Sequence, residues 1–334
     1  MLTQTDELAR AADIVLDRLG VNNADAFLVV SNSGLAEVAA ALATAARAVT
    51  ENVRDHEFAA STRDGEEPPP DVAAAMGEAT AIAIVTRFSL SHTQARLQAT
   101  RAGARIASLP GITQEIFTRA LAADYAKLQR VGRALAADLS RANVCHVKAP
   151  AGTDVELSLR GRQAVCDDGD LCARAAFGNL PAGEAYVAPR EEEVEGTIVF
   201  DGSLAGWGLL DQALIVEIAR GRLVSVRGGA AAEWLLQTLD AGGATGRTIA
   251  EVGIGTNDAA TVSGVILEDE KAEGTVHFAF GANTGFGGTN EAAVHIDGLV
   301  REGAVGQIEL LRLEIIPVRR RARASRPPRH ACPG

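Results

Sequence analysis

Two of the six histidines in the chain lie in short segments whose residue types and spacing suit metal chemistry. The first is His277, in the run GTVHFAFG. Strand-like alternation would place Val276, Phe278 and Phe280 on one side of this run. His277 would then share the opposite side with the small side chain of Ala279, which leaves room around the imidazole. This run therefore predicts a strand with an apolar face and a face that carries one imidazole.

The second histidine, His295, lies in AAVHIDG, two residues before Asp297. In a strand, residues two apart point to the same side, so the imidazole and the carboxylate would face one ligand together. Imidazole and carboxylate groups are common ligands of divalent cations. The connecting segment NTGFGGTN contains too much glycine for a helix and is typical of a close turn beside a ligand. The pair predicts part of a metal site.

A purely structural role is the alternative for each histidine, because a histidine on a strand is more often a hydrogen-bonded packing residue than a metal ligand. Two observations favour the metal site. The two histidine segments are close in sequence, and Asp297 would share a face with His295. Burying that carboxylate without a partner would cost several kcal/mol, on the order of 2–7 kcal/mol for a polar group and more for a charge.

Two glutamates lie where strands would end beside glycine turns, a common place for functional groups. Glu184 lies in GNLPAGEAYVAP, and Glu251 lies in TIAEVGIGTN. As isolated acids they would more often be solvated loop residues. Their candidacy depends on the fold bringing them together with the two histidines.

The elements that must position these residues fall into two predicted domains. Residues 1–143 alternate between apolar strands, such as DAFLVVSNSG, and alanine-rich helices, ending in a long helix from about Thr113 to Ala142. This alternation predicts an α/β domain with a mainly parallel sheet. From residue 144 to 318, short β-branched runs alternate with glycine turns around one helix, AAAEWLLQTLD. This predicts a β-rich α+β metal-binding domain.

Composition and charge exclude several classes of protein. The net charge of −11 over 334 residues argues against binding to nucleic acid or to an anionic membrane. Residues 319–334 form a basic tail, including RRRARASRPPRH, which we expect to be disordered. We find no apolar run long enough to span a bilayer and no signal-peptide pattern, so we expect a cytoplasmic protein.

Other catalytic patterns are missing from the sequence. The loop after the first predicted strand has too few glycines for a dinucleotide-binding fingerprint, and no serine lies in a GxSxG segment. The cysteines show no zinc-type spacing. Cys145 and His146 would point to opposite faces of a strand, so they do not form a nucleophile and base pair.

In order and spacing, the segments NLPAGEAYVAP, IAEVGIGTN, LEDEKAEGTVHFAFGAN and HIDG resemble the motifs of the thermophilic metallo-aminopeptidases, the family of aminopeptidases T and S. The resemblance implies two divalent metals, such as Zn, Mn or Co, and a homodimer. The implied metal ligands are Glu184, Glu251, His277, His295 and Asp297, with Glu184 also in a catalytic role. Where those aminopeptidases have a tyrosine, seven residues after the motif histidine, this chain has Thr284, which we expect near the substrate.

The segment SLSHTQARLQATRAGARIASLPGI and the length of the chain resemble a shorter branch of the same superfamily, the 2,5-dihydroxypyridine 5,6-dioxygenases, which use one iron(II). His92 would begin a helix, with Thr93 beside it and Arg96 one turn later. The resemblance implies acid/base catalysis by His92 and substrate binding by Thr93 and Arg96. The structural alternatives are a helix-start histidine bonded to backbone and a surface arginine.

Charge counting favours the hydrolase. Three carboxylates nearly balance two divalent ions, and a bridging hydroxide would complete the neutral resting state of a metal-dependent hydrolase. We therefore expect a hydrolase of small peptides or amides. The alternative is a mononuclear iron(II) dioxygenase that opens a hydroxylated pyridine or similar ring. The iron site of such an enzyme would need only two histidines and one carboxylate as ligands.

Overall fold

The structure is a computed structural model that describes residues 3–301 and 304–306. It confirms the predicted class, an α/β part with a parallel sheet and a β-rich part with antiparallel sheets. The chain divides into two compact units. Of the described residues, the first unit contains 3–123 and 169–182, and the second contains 124–168, 183–301 and 304–306. Within the described part, no helix is long and apolar enough to cross a membrane.

The first unit is built on five parallel strands in the order β2-β1-β3-β4-β8. The central strands β1 and β3 are mostly apolar and are buried over their whole length, as expected for a parallel sheet covered on both faces. Helices join successive strands. In chain order the elements are α1 (Gln4–Leu19), β1 (Phe27–Asn32), α2 (Ala36–Arg47), β2 (Val53–Phe58), α3 (Pro70–Glu78), β3 (Ala81–Val85), α4 (Gln94–Ala102), β4 (Arg105–Ser108), α5 (Gln114–Ala120) and, after a return of the chain, β8 (Phe177–Asn179).

The second unit contains two antiparallel sheets. The six-stranded sheet has the order β14-β13-β10-β6-β5-β18, and the seven-stranded sheet has the order β12-β11-β17-β16-β15-β9-β7. The elements are α6 (Tyr125–Arg141), β5 (Val144–Lys148), β6 (Asp154–Ser158), β7 (Val165–Asp167), β9 (Glu184–Val187), β10 (Val194–Phe200), β11 (Ser203–Leu204), β12 (Gly208–Leu209), β13 (Leu214–Ala219), β14 (Arg222–Arg227), α7 (Gly229–Ala241), β15 (Ile249–Gly255), α8 (Ile266–Asp269), β16 (Val276–Gly281), a 3-10 turn (Thr284–Phe286), β17 (His295–Val300) and β18 (Ala304–Gly306).

A continuous apolar core fills this second unit. It takes side chains from both sheets and from α6 and α7, including Val155, Ile198, Leu235, Phe278 and Phe280. The alternation predicted for the first histidine strand is confirmed, because Val276, Phe278 and Phe280 all belong to this core. One face of the seven-stranded sheet is therefore used for packing. Its polar side chains must lie on the other face.

Two expectations about the chain's organisation differ from the structure. The long helix expected from Thr113 to Ala142 is two helices, because Asp124 caps a new one by accepting hydrogen bonds from the backbone N–H groups of Ala126 and Lys127. The expected boundary at residue 143 also falls elsewhere. Helix α6 packs in the core of the second unit, and residues 169–182 return to the first unit to add strand β8.

The basic tail, residues 319–334, lies outside the described residues, as does the last expected strand, IELLRLEIIPV.

Candidate metal centre

The predicted ligands lie on one face of the seven-stranded sheet, on four neighbouring strands. The strand register pairs Glu184 with Gly255 and His277 with Gly253, and it pairs Asp297 with Ala279. His295 lies opposite Gly281 at the start of β17. Alternation along β15, β16 and β17 turns their apolar residues into the core and turns these polar residues to the other side.

Small residues on this polar face make space for the ionisable groups. Gly253 is the nearest example, because a Cβ atom at this position would lie 2.1 Å from Nε2 of His277. His277 itself is completely buried. The glycine therefore lets the imidazole lie flat against the neighbouring strand.

Glu251 lies between the two imidazoles. Its Oε1 is 3.1 Å from Nε2 of His277, and its Oε2 is 3.5 Å from Nε2 of His295. Nε2 of His295 is also 3.4 Å from Oδ1 of Asp297, and Nε2 of His277 is 3.4 Å from Oε2 of Glu184. The five residues predicted as ligands thus converge, and all of them belong to the second unit.

The backbone fixes the orientation of His295. Its Nδ1 is 2.8 Å from the carbonyl oxygen of Ala282, a contact in which the ring N–H donates. In the neutral imidazole, Nε2 carries the lone pair and faces the carboxylates, which is the arrangement usually found in metal-bound histidines. His277 differs, since among the described residues its buried Nδ1 has no hydrogen-bond partner.

The carboxylates hold protons on the imidazoles. Burial alone would lower the pKa of His277, but its hydrogen bond to Glu251 and the charges of Glu184 and Glu251 raise that pKa to about 9. Burial also opposes the charge on His295, yet the charges of Asp297 and Glu251 raise its pKa to about 10. Burial raises the pKa of Glu251 itself. The cluster therefore takes up positive charge, which a divalent cation would also supply.

Three further ionisable residues of the site were not predicted from the sequence: Glu270, Lys271 and Asp167. Nζ of Lys271 is 2.6 Å from Oε1 of Glu184 and 2.6 Å from Oε1 of Glu270, and it is 3.7 Å from Oδ2 of Asp167. Lys271 is fully buried. In the sequence, the run EDEK has the composition of a solvated turn, so nothing in it signals burial.

The site fits a metal ion by its donor atoms. Two groups of three side chains each bring ligand atoms within 4.8 Å of one another. We call Glu184, Glu270 and His277 the inner group, because all three are buried. We call Glu251, His295 and Asp297 the outer group, because His295 and Asp297 are partly exposed. In addition, Oε2 of Glu184 is buried and, within the described part of the chain, has no hydrogen-bond donor.

The residues expected to bind substrate from the first unit have local roles there. Thr93 is buried and caps α4, accepting a hydrogen bond from the backbone of Arg96 and donating one to Leu90. The guanidinium of Arg96 donates to the carbonyl of Ser91 and lies over the ring of Phe177, 4.2 Å from its centroid. His92 is exposed in the turn before α4.

Thr284 is exposed in the 3-10 turn after β16, and the same turn carries Phe286. The ring of Phe286 meets His295 edge to face, with centroids 6.0 Å apart, and meets Tyr186 in the same way at 5.4 Å. Tyr186 lies on the polar face of the sheet, opposite Gly253. These two aromatic residues were not predicted as part of the site, although Tyr186 lies within the motif NLPAGEAYVAP and Phe286 lies in the glycine-rich segment NTGFGGTN.

Comparison with solved structures confirms the expected fold. The chain superposes on a structure of 2,5-dihydroxypyridine dioxygenase from Pseudomonas putida KT2440 with a TM-score of 0.76 at 20% identity, covering 91% of this chain and 94% of that one. It superposes on wild-type AmpT from Thermus thermophilus with a TM-score of 0.65 at 22% identity, covering 87% and 92%. At these identities the likeness shows a shared fold.

Sequence comparison is more specific. A 2,5-dihydroxypyridine 5,6-dioxygenase from Pseudomonas putida strain KT2440 is 26% identical over 231 residues. That segment spans 64% of this chain and 64% of the relative, just under two thirds of its length. The family model described as NicX, 2,5-dihydroxypyridine 5,6-dioxygenase, matches residues 10–306, which include both units and every candidate ligand. The chain therefore belongs to the 2,5-dihydroxypyridine 5,6-dioxygenase (NicX) family.

Proposed function

We propose that this protein is an iron(II)-dependent dioxygenase that opens the ring of a hydroxylated pyridine or a similar aromatic compound. The observation that carries the proposal is the convergence of His277, His295 and Asp297 on one face of the sheet. Two histidines and one carboxylate are the ligand set typical of non-haem iron(II) oxygenases. Membership of the family supports the choice of reaction. The residue pattern alone favoured a hydrolase over a dioxygenase, and membership of the family supports the opposite preference.

The metal ligands would come from the outer group, with His277 as the second imidazole beside Glu251. When bound, iron(II) supplies the redox chemistry that lets molecular oxygen react with an aromatic ring. Glu251 contributes by holding both imidazoles, one with each carboxylate oxygen. The carbonyl of Ala282 keeps the Nδ1 proton on His295, so that Nε2 remains the ligand atom.

The aromatic side chains beside His295 support a flat aromatic substrate. Phe286 and Tyr186 contact each other edge to face, and Phe286 also contacts the imidazole of His295. Aromatic rings favour such edge-to-face or offset neighbours, each worth about 0.5–1.5 kcal/mol beyond burial. A six-membered ring bound near His295 would meet this aromatic surface. Opening a hydroxylated ring also requires proton transfer, for which we retain His92 as the proposed acid/base.

The test is oxygen uptake by anaerobically purified, iron(II)-loaded protein when 2,5-dihydroxypyridine is added. We expect equal amounts of oxygen and substrate to be consumed, because a ring bond breaks and both oxygen atoms enter the product. We expect His295→Ala to lose both iron and activity. His146→Ala is the matched control, since His146 pairs with Asp154 at the surface of the other sheet. Full oxygen uptake by His295→Ala would overturn the proposal.

A metal-dependent peptide or amide hydrolase is the second candidate. The inner group favours it, because a second set of three potential ligands is what a two-metal hydrolase would need. Release of amino acids from small peptides in the absence of oxygen, by protein loaded with zinc or manganese, would support this candidate. A protein that hydrolyses peptides and consumes no oxygen with any hydroxypyridine would replace the dioxygenase proposal with it. The homodimer implied by the sequence resemblance remains a prediction.

A further inference from the structure

Lys271 lies inside the metal centre, at the place where a second metal would be expected. Its ammonium group is 2.6 Å from one carboxylate oxygen of Glu184 and 2.6 Å from one of Glu270. Both glutamates belong to the inner group, and Asp167 lies slightly farther away on the same side. The lysine thus contacts two of the three side chains that would have to bind a second ion.

The position of Lys271 is fixed by the backbone on either side of it. Its N–H donates to the carbonyl of Glu268 at the end of α8, and its own carbonyl accepts from the N–H of Asn257. The next residue, Ala272, forms a β-bridge with Asn257. The side chain is buried along its whole length, so the ammonium is held among the carboxylates and away from water.

We propose that Lys271 serves as an internal cation that neutralises Glu184 and Glu270 of the inner group, so that the protein binds a single divalent metal ion, held by the outer group together with His277. The inference deepens the proposed function, because a mononuclear centre is what the dioxygenase reaction would need. For the inner group to bind a metal, the ion pairs of Lys271 with Glu184 and Glu270 would have to break. The ammonium would then be buried next to a divalent ion, with Asp167 as its nearest remaining carboxylate.

The inner and outer groups also differ in how exposed their side chains are to solvent. His295 of the outer group has 29% of its side chain exposed, whereas in the inner group the exposed fraction is 13% for Glu270 and lower for Glu184 and His277. A metal ion arriving from solution reaches the outer group without displacing a protein cation. Three carboxylates, those of Glu184, Glu270 and Asp167, lie within 4 Å of the Lys271 ammonium and compensate its charge.

Manganese(II) titration of metal-free protein tests this assignment without an activity measurement. Free manganese is counted by its electron paramagnetic resonance signal. We expect wild-type protein to bind a single equivalent, and we expect Lys271→Met to bind a second equivalent and to show the altered spectrum of two coupled ions. Lys127→Met is the matched control. Lys127 also pairs with acidic residues of the second unit, Asp258 and Glu273, but these lie outside both groups.

Two results would overturn the proposal: a second equivalent bound by wild-type protein with similar affinity, or a folded Lys271→Met that still binds only one. If Lys271→Met does not fold, the wild-type titration is combined with Glu270→Gln. That variant should keep the single equivalent, and losing it would contradict the assignment to the outer group. Protein that binds one metal but consumes no oxygen would overturn the proposed function and leave this inference standing.

Discussion

Gly253 determines how closely the imidazole of His277 can approach strand β15. A Cβ atom there would lie 2.1 Å from Nε2, far inside van der Waals contact, and the ring is completely buried. The position therefore needs glycine because of its neighbour, although its backbone conformation is ordinary for a strand.

We predict that Gly253→Ala will weaken metal binding roughly 10- to 100-fold, the range typical of changes to groups that orient a metal ligand. The added methyl group must push His277 away from Glu251 or force β15 and β16 apart. The measurement is the affinity for manganese(II), together with far-ultraviolet circular dichroism to verify folding. Gly77→Ala is the control, because a Cβ there meets nothing within 4 Å. Unchanged affinity in Gly253→Ala would show that His277 is not a ligand.

At the scale of elements, the loop after β16 is held in place by ionic and polar contacts with Glu191. Oε1 of Glu191 accepts hydrogen bonds from the backbone N–H of Thr289, at 2.6 Å, and from Asn283, at 3.1 Å. Its other oxygen pairs with Arg162, which also donates to the carbonyl of Gly287. This loop carries Phe286, so the same contacts position the aromatic ring beside His295.

These contacts make a pH-dependent contribution to stability. Burial would raise the pKa of Glu191, but the hydrogen bonds from Thr289 and Asn283 and the charge of Arg162 outweigh burial and lower it below the usual 4.5. A carboxyl group whose pKa is lowered by folding stabilises the folded state fully at pH values above the pKa that it has in the unfolded chain. The contribution is lost as the pH falls through the folded value.

We predict that Glu191→Gln will lower the free energy of unfolding at pH 7 by about 1.5–3 kcal/mol, the range for hydrogen bonds to a charged group. The difference from wild type should shrink as the pH falls below about 4.5. Urea unfolding at several pH values measures both effects. Glu233→Gln, at an exposed position of α7, is the control. A difference that stays constant down to pH 3 would contradict the assigned role.

At the scale of the whole molecule, all candidate ligands belong to one of the two units. Each unit has a buried apolar core of its own, and strands β9, β15, β16 and β17 carry every ligand of the outer and inner groups except Glu270. A bound metal links strands that are distant in sequence but adjacent in the sheet. Its stabilisation should therefore be local to the second unit.

We predict that manganese(II) will slow amide hydrogen exchange in β9, β15, β16 and β17 and leave the exchange of β1, β3 and β4 unchanged. At a free concentration 100 times the dissociation constant, binding stabilises the folded state by about 2.7 kcal/mol. Hydrogen exchange followed by mass spectrometry, with and without metal, measures the change strand by strand. His295→Ala should show no response. Equal protection of both units would contradict a site confined to the second one.

The sequence by itself determined the class of each unit and most of the metal centre. Alternation in GTVHFAFG and HIDG was sufficient to place His277, and the pair of His295 and Asp297, on the face of the sheet opposite the core, because side chains in a strand alternate with a period of two. Glu184 and Glu251 were candidates from their positions at strand ends beside glycine turns, and motif resemblance then implied that they are ligands, because local pattern alone does not separate them from solvated acids. The structure shows that they converge with the histidines.

Only the tertiary structure decided the charge balance of the site. Glu270 and Lys271 lie in the run EDEK, whose composition is that of an exposed turn, yet Lys271 is fully buried beside the bridge between Asn257 and Ala272, and Glu270 is 13% exposed. The ammonium of Lys271 adds a positive charge that the count of predicted ligands omitted. A sequence pattern predicts on which face of its own strand or helix a side chain lies. Which charges share a buried site depends on contacts between residues up to about a hundred positions apart, and these exist only in the folded chain.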